Sequence, residues 1–458
     1  SGAQRAAARP AAGYDAAMEP QAPPLHDRVA WHDDAPDPGR SATPSETPLP
    51  AHVDWLVVGG GFAGLAAARR AAEHGASVLL LERGAMRDGA SSRNGGMVHV
   101  GFGASLGAIA QRFGEAGARE WLDLSRGAVA RIAELARRGP GGLAADTGID
   151  PAWEATGHLE LARSPRSARS LEAEATLRRR LGLPVRLLDR ADVVGTTGSE
   201  SFHGGIAVDE GGGVQPARLQ AAMATAARRA GADLREQTAV RRIRRIRGAC
   251  EVETNRGTVR AARVFAGVNG YADGAFPALR RRAIPVGSFM IATEPLPEAL
   301  LRSVAGAGEM RFDTRNFLSY WRPTPDGRIA FGGRTSFWPE GLPSIATRLR
   351  RRMVEIHPQL RDRAVTHAWG GRLSFAVDRL PRIARLDGVL HVAGCAGSGI
   401  ALMTHLAEQA VEWELGGPVP LPARLTWPPF PIPYEGRPWF LPLAGVAFAA
   451  EDAWQERR

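Results

Sequence analysis

The 458-residue chain contains no lysine, so all 58 of its basic side chains are arginine. That absence removes whole classes of chemistry. There is no Schiff-base nucleophile, no phosphate-loop lysine and no lysine to stand beside a redox cofactor. Uniform replacement of lysine by arginine in a chain rich in alanine and glycine reads as compositional bias. The net charge of +10 is therefore not taken as a nucleic-acid signature. The arginine clusters at 241–247, 280–282 and 348–352 lack interleaved aromatic residues and read as solvated surface. Cysteine is nearly absent too. Cys250 and Cys395 offer neither metal-ligand spacing nor a disulfide framework, which fits a reducing, cytoplasmic setting and no metal site. No apolar run reaches the ~18 residues that a membrane-spanning helix needs. The longest candidate, 439–450, is interrupted by Pro442 and Gly445. An integral membrane segment is not expected.

What is present is concentrated near residue 60. Leu56, Val57 and Val58 form a short apolar run suited to a parallel strand buried on both faces. Gly59, Gly61 and Gly64 follow with GxGxxG spacing: the first for a tight turn, the second for close approach to a pyrophosphate, the third for helix–strand packing. An alanine-rich helix from about Ala63 to His74 aims its free N–H groups and positive dipole end at that phosphate site, and Gly75 closes it. A second strand at 78–81 ends at Glu82, about 20 residues beyond the first glycine, where a carboxylate can grip ribose hydroxyls. Strand, turn, helix, strand and acid agree, and together they imply an adenine dinucleotide.

Further along, 87–102 is a polar, glycine-rich loop carrying Ser91, Ser92, Arg93, Asn94, Gly95 and Gly96. Apolar spacing predicts helices at 108–138 and 165–181, another opened by Pro216 and closed by Gly231, and one at 344–356. Strands are predicted at 234–237, 239–245, 250–254, 264–268, 284–293, 317–322 and 328–332, with 323–327 as a hairpin turn. A late strand at 389–392 leads into the glycine turn at 394–399 and a helix from 400 to about 415, a second helix dipole able to face the cofactor. Residues 1–50 form an Ala- and Pro-rich arm without a secretory h-region. Residues 1–24 are expected to be disordered or in part not native, with Met18 a candidate natural start. Trp31 is the arm residue expected to anchor on the protein body.

These pieces, in this order, resemble the D-amino-acid-oxidase type of FAD-dependent oxidoreductases, which includes glycine oxidase, monomeric sarcosine oxidase and γ-glutamylputrescine oxidoreductase. The matching segments are 57–84, 90–96, 211–219, 264–272, 292–296, 320–337, 378–383 and 391–402. The SSRNGG loop, the DxLP segment and the late glycine turn look closest to the γ-glutamylputrescine oxidoreductase branch, as does the tail at 431–442. The resemblance implies an α/β protein. A Rossmann-type FAD-binding domain (51–104, 195–275 and 365–420) is interleaved with an α+β substrate domain (105–194 and 276–364) built on a mostly antiparallel sheet. An N-terminal arm (1–50) and a C-terminal tail (421–458) complete it. It also implies cofactor contacts from Gly59, Gly61, Phe62, Ala63, Gly64, Glu82 and Arg83 to the ADP part. Ser91, Ser92, Arg93, Asn94, Gly95, Gly96 and Met97 pass the flavin ring, Val240 meets adenine, and Gly267 lies nearby. Gly394, Gly397, Ser398, Gly399 and Ile400 form the turn at the ring's pyrimidine end. Amides there would stabilise the reduced, anionic flavin.

Two departures carry meaning. Members that bind flavin covalently place a cysteine near the position of Gly371, so non-covalent FAD is implied, and Cys395 reads as a small packing residue. Members related to sarcosine oxidase place a lysine near the position of Ala330. Without it, Arg93 or His99 is the candidate cation for oxygen reduction, or the electrons go to another acceptor. Oxidation of an amine by flavin needs positioning more than acid–base machinery. Candidate catalytic residues are accordingly His99, Arg93, Tyr320 and Arg372. His99 stands either at the ring or in a structural role. Of Tyr320 and Trp321, strand alternation lets only one face the site. Arg372 lies about one position from where glycine-oxidase-like members bind a carboxylate, and a surface role fits it equally. The second such arginine falls at about Gly397, which argues against a simple small amino acid. Phe289, Met290 and Trp338 are pocket or core candidates. The implied reaction is oxidation of a primary or secondary amine, or an amino-acid-like compound, to an imine. A dehydrogenase, a flavin monooxygenase and a non-catalytic flavoprotein are the competing readings.

Overall fold

The computed structural model describes residues 27–39, 47–334, 337–338 and 340–456. The expectation of disorder at 1–24 lies outside them. Two eight-stranded sheets organise the chain. In the first, the strand His52–Val58 runs parallel to Val78–Leu81 on one side and to Gly257–Ala266 on the other. Asp233–Arg235 extends it beyond Val78–Leu81, and Val389–Ala393 with Arg382–Leu386 extends it beyond Gly257–Ala266. The meander Val240–Ile246 and Ala249–Thr254 folds off the last strand of the central group.

The apolar runs are buried twice over. Trp55, Val57, Val78 and Leu80 face a core shared with the helices Phe62–Glu73, Leu106–Ala136, Pro216–Arg229 and Gly399–Glu414. Leu56, Val58, Leu79 and Leu81 face the meander's Val252 and Val259. Alternate residues on one strand thus enter different cores, which is why the sequence shows a continuous apolar run instead of alternation. Gly64 lets the first helix come this close: a Cβ there would lie 1.8 Å from the Gly59 carbonyl oxygen.

The second sheet runs Val365–Phe375, Ile284–Thr293, Ile329–Gly333, Ser319–Pro323, Met310–Asp313, His158–Leu161, Gly205–Val208 and Arg186–Leu188. Its pairs are antiparallel except Met310–Asp313 with His158–Leu161. One face packs on the helix Leu342–Ile356 through Phe331, Trp321, Leu349 and Met353. The other faces the first domain.

The interleaving differs from the expected division in three places. The strands Gly205–Val208 and Val365–Phe375 belong to the second sheet, although 195–275 and 365–420 were assigned to the cofactor domain. The helix Leu106–Ala136 shares the first domain's core through Ile109, Trp121, Leu122 and Val129, although it was assigned to the substrate domain. Apolar periodicity marks the helix but not the layer that receives it, and the two strands carry no periodic mark from which they were predicted. The apolar run at 439–450 also differs. It starts the helix Leu441–Glu456, where Pro442 sits in the first turn and removes no helical hydrogen bond.

Candidate functional site

A cavity of about 980 Å³ lies between the two sheets. It starts at the turn after His52–Val58, passes Glu82, Val240 and the first helix's N-terminus, and ends on the second sheet's inner face. Of the residues expected at the cofactor, Gly59, Gly61, Phe62, Ala63, Glu82, Arg83, Ser91, Arg93, Asn94, Gly95, Met97, Val240, Gly267, Gly397, Ser398, Gly399 and Ile400 line it. Gly64, Ser92, Gly96 and Gly394 do not. They hold the wall from behind: the Ser92 hydroxyl donates to the Arg87 carbonyl at 2.5 Å, and Gly394 N–H donates to Ser374 Oγ at 3.0 Å.

At the dinucleotide end the donors are backbone amides. Phe62 N–H is taken by Ser91 Oγ at 2.9 Å, whereas the amides of Ala63 and Gly64 have no acceptor among the described residues. Glu82 does more than the sequence suggested. Its Oε2 accepts Gly60 N–H at 2.8 Å and its Oε1 accepts Gly84 N–H at 3.1 Å, so one carboxylate clamps the glycine turn while it lines the cavity. Gln220, which the sequence did not single out, donates to the Gly60 carbonyl at 2.8 Å and the Met86 carbonyl at 2.9 Å.

The SSRNGG loop is pinned from several sides. Trp31 is buried and its indole N–H donates to the Asn94 carbonyl at 2.8 Å, so the arm is anchored as expected. Trp369 donates to the Arg93 carbonyl at 2.8 Å. Asn94 closes on the loop itself, donating to the Ser91 carbonyl at 2.8 Å and accepting Gly96 N–H at 2.8 Å. Buried Arg322, also not foreseen, donates to the Gly96 and Val214 carbonyls at 2.8 and 2.9 Å and ties the loop to the second sheet.

The inner face of the second sheet forms the other end. Ile284, Val286 and Ser288 pair in register with Phe375, Leu373 and Gly371, and all six line the cavity. Tyr320 faces the cavity while Trp321 enters the core behind the sheet, as alternation requires. The Tyr320 hydroxyl meets Ser288 Oγ at 3.1 Å, and burial pushes its pKa above the ordinary value. Gly332, opposite Tyr320 in the register, makes room for the ring: a Cβ there would lie 2.2 Å from Tyr320 Cζ. Arg334 follows two residues later on the same face and lines the cavity. Ser288 and Arg334 were not predicted. The alternation beyond Gly332 was the signal that pointed to Arg334.

Phe289 and Met290 take the core reading, and other expectations need correction. Phe289 packs against the core behind the sheet, Met290 lies under Trp31 and Trp369, and Trp338 is 59% exposed. None of the three lines the cavity. Ala330 packs in the same cluster as Met290. His99 lines the cavity with Ser398 Oγ 3.4 Å from its Nε2, but burial together with the neighbouring His158 holds its pKa at about 4. It is uncharged at neutral pH and does not supply the expected cation. The Arg93 charge is paired with Asp27, and its Nε donates to the Gly370 carbonyl at 2.7 Å. Arg372 reaches the cavity but is largely exposed.

The comparisons agree with this geometry. A family model described as FAD dependent oxidoreductase (DAO) matches residues 54–413. The chain is similar to the probable oxidoreductase OrdL of Rhizobium meliloti strain 1021, at 32% identity over 441 residues covering 94% of this chain and 98% of that protein. It is similar to γ-glutamylputrescine oxidoreductase of Escherichia coli K12, at 28% over 400 residues covering 86% and 91%. Glycine oxidase from Geobacillus kaustophilus shares the fold, with a TM-score of 0.67 and 24% identity over 81% of this chain and 96% of that one. The family match runs from the first strand through the second sheet into the helix Gly399–Glu414, and on that extent the chain belongs to the DAO family of FAD-dependent oxidoreductases.

Proposed function

We propose that the protein oxidises a primary or secondary amine, or an amino-acid-like compound, to an imine that water then hydrolyses, with oxygen as the final acceptor. The observation that carries this reading is the cavity itself. One end offers free helix amides and Glu82, and the other offers a sheet face bearing Tyr320 and Ser288. FAD, the family's cofactor, fits the dinucleotide end: the Ala63 amide and the glycine turn at Gly61 would meet its pyrophosphate, Glu82 its ribose, Val240 its adenine, and the turn 396–400 its ring. When bound, it would supply the acceptor for the hydride, and with it the two electrons, that leaves the substrate carbon.

The chain's part is to position the substrate and to keep negative charge away from its amine. The carboxylates lining the cavity among the described residues are Glu82, Asp88 and Asp273, all on the dinucleotide side. No acidic base stands on the sheet face, and neutral His99 and un-ionised Tyr320 leave the substrate amine without a counter-ion that would keep it protonated. A neutral amine held against rigid walls is the form ready to lose hydride, and positioning of this kind can account for most of the rate. Tyr320, fixed between Gly95 and Gly332 and bonded to Ser288, provides one such wall.

The reading is tested on purified protein. FAD should be released by acid, leaving the polypeptide colourless, because Gly371 gives no point of attachment. Anaerobic addition of a panel of amines should bleach the flavin without a nicotinamide cofactor. Bleaching only with NADPH would favour a monooxygenase, and no bleaching under any condition would remove the catalytic reading.

A further inference from the structure

The chain is poor in aromatic residues, which make up 7% of it, yet Phe337, Phe375, Phe430, Phe440 and Phe448 all line one cavity. They come from three separate parts of the chain. Phe430 and Phe440 stack at 4.8 Å, Phe337 and Phe448 meet at 6.2 Å, and Phe375 belongs to the same cluster as Phe430 and Phe440. The guanidinium of Arg334 stands 5.3 Å from the Phe375 ring centre, on the edge of this wall.

Arg334 differs from the other arginines of the cavity. Arg83 pairs with Asp273, Arg93 with Asp27 and Arg315 with Glu355, while Arg372 and Arg379 are largely exposed. Among the described residues, Arg334 has no carboxylate partner. A guanidinium held away from bulk solvent without an anion costs stability, and such a charge is normally paired. Its nitrogen atoms are not sealed into the protein, because the side chain lines open cavity. Burial lowers its pKa only to about 10, so it stays charged at neutral pH. It stands on the second sheet, on the face of Tyr320 and Ser288, and not beside the amides and Glu82 of the dinucleotide end.

We infer that Arg334 seats an anionic group of the substrate while the phenylalanine wall beside it receives an apolar body, so that the enzyme acts on amines bearing both a carboxylate and an aromatic or large aliphatic group. This rests on the amine-oxidation reading above and names its substrate class. A fork of guanidinium donors suits a planar carboxylate. The same Arg334 would reject an uncharged isostere, which leaves the guanidinium unpaired. The aromatic wall rewards apolar area and disfavours a small polar substrate.

Inert probes test this without turnover. The holoprotein is titrated with phenylacetate, acetate and phenylacetamide, following both the flavin absorbance and the thermal midpoint. Phenylacetate should perturb the flavin and raise the midpoint, and the other two should bind at least about tenfold more weakly. In Arg334→Met the preference for phenylacetate over phenylacetamide should vanish, while the unliganded midpoint stays the same or rises, because an unpaired buried charge has been removed. Should that variant fail to fold, Arg334→Gln serves as the second case with the same expectation. Equal binding of phenylacetate and phenylacetamide by wild type, or a preference surviving in the variant, overturns the anionic seat. Acetate binding as tightly as phenylacetate overturns the apolar wall. Failure of the underlying amine-oxidation reading would show separately, as wild-type flavin that no amine bleaches.

Discussion

Glu82→Ala removes a side chain at the meeting point of strand, glycine turn and cavity. In the folded protein its two oxygens accept the amides of Gly60 and Gly84 at 2.8 and 3.1 Å. A hydrogen bond to a charged acceptor contributes about 1.5–3 kcal/mol, so the pair contributes about 3–6 kcal/mol gross. The carboxylate is half-buried, and water entering from the cavity would solvate both amides in the variant. About 2 kcal/mol is then the expected loss in the apoprotein, near the middle of the range for a point mutation. The carboxylate's proposed bonds to the FAD ribose are a separate contribution. Losing about 1.5–3 kcal/mol there raises the Kd for FAD roughly ten- to hundredfold. Urea unfolding of the apoprotein and fluorescence titration with FAD read the two effects independently. Glu82→Gln should lie close to alanine, since its amide nitrogen faces one of the two N–H donors. Apoprotein stability equal to wild type would refute the clamp on the glycine turn, and an unchanged Kd for FAD would remove Glu82 from the cofactor.

Gly332→Ala places a Cβ 2.2 Å from Tyr320 Cζ, so it should displace the ring and weaken substrate more than Tyr320→Phe, which loses only the bond to Ser288; steady-state kinetics of both variants on a bleaching amine would check the order. Because His99 is neutral, His99→Ala should leave air reoxidation of the reduced enzyme within about twofold of wild type by stopped flow, and a slowing of tenfold or more (about 1.4 kcal/mol of barrier) would restore it as the cation. Acid should weaken the apoprotein early. Burial holds His99 at about 4 and His357 and His391 at about 3, against an ordinary value near 6.5. The unfolded chain therefore takes up these protons first, so stability is complete above about pH 6.5 and falls as pH drops towards 4, by roughly 3 kcal/mol for His99 and roughly 5 kcal/mol for each of His357 and His391 once fully expressed. Denaturant midpoints that stay flat from pH 7 to 4.5 would contradict this.

The resemblance and the local pattern made the dinucleotide end legible because its parts are contiguous. Val57, the three glycines, the alanine helix and Glu82 fall within one short segment, and each part answers to a local rule of strand, turn or helix dipole. Trp31 was legible as an anchor because a lone tryptophan in an Ala- and Pro-rich arm has little else to do. The alternation at Tyr320 and Trp321 correctly implied that one faces the site, and the register decided which. What the sequence alone determined is therefore the first strand–helix–strand unit with the chemistry of its cofactor cradle and the more strongly patterned elements, whereas His158–Leu161, Gly205–Val208, Met310–Asp313 and Val365–Phe375 of the second sheet were not predicted.

The tertiary structure decided the rest. Strand membership of Gly205–Val208 and Val365–Phe375 depends on long-range pairing, which carries no local mark. The neutrality of His99 comes from burial beside His158, and the pairing of Arg93 comes from Asp27, 66 residues away in sequence. The Phe337, Phe375 and Phe430 that wall one part of the cavity are scattered along the chain and become one surface only when the C-terminal segment folds over the second sheet. Arg334 gains its meaning there as well: whether an arginine is one more solvated charge or an unpaired cation in a cavity depends on which side chains the fold brings near it.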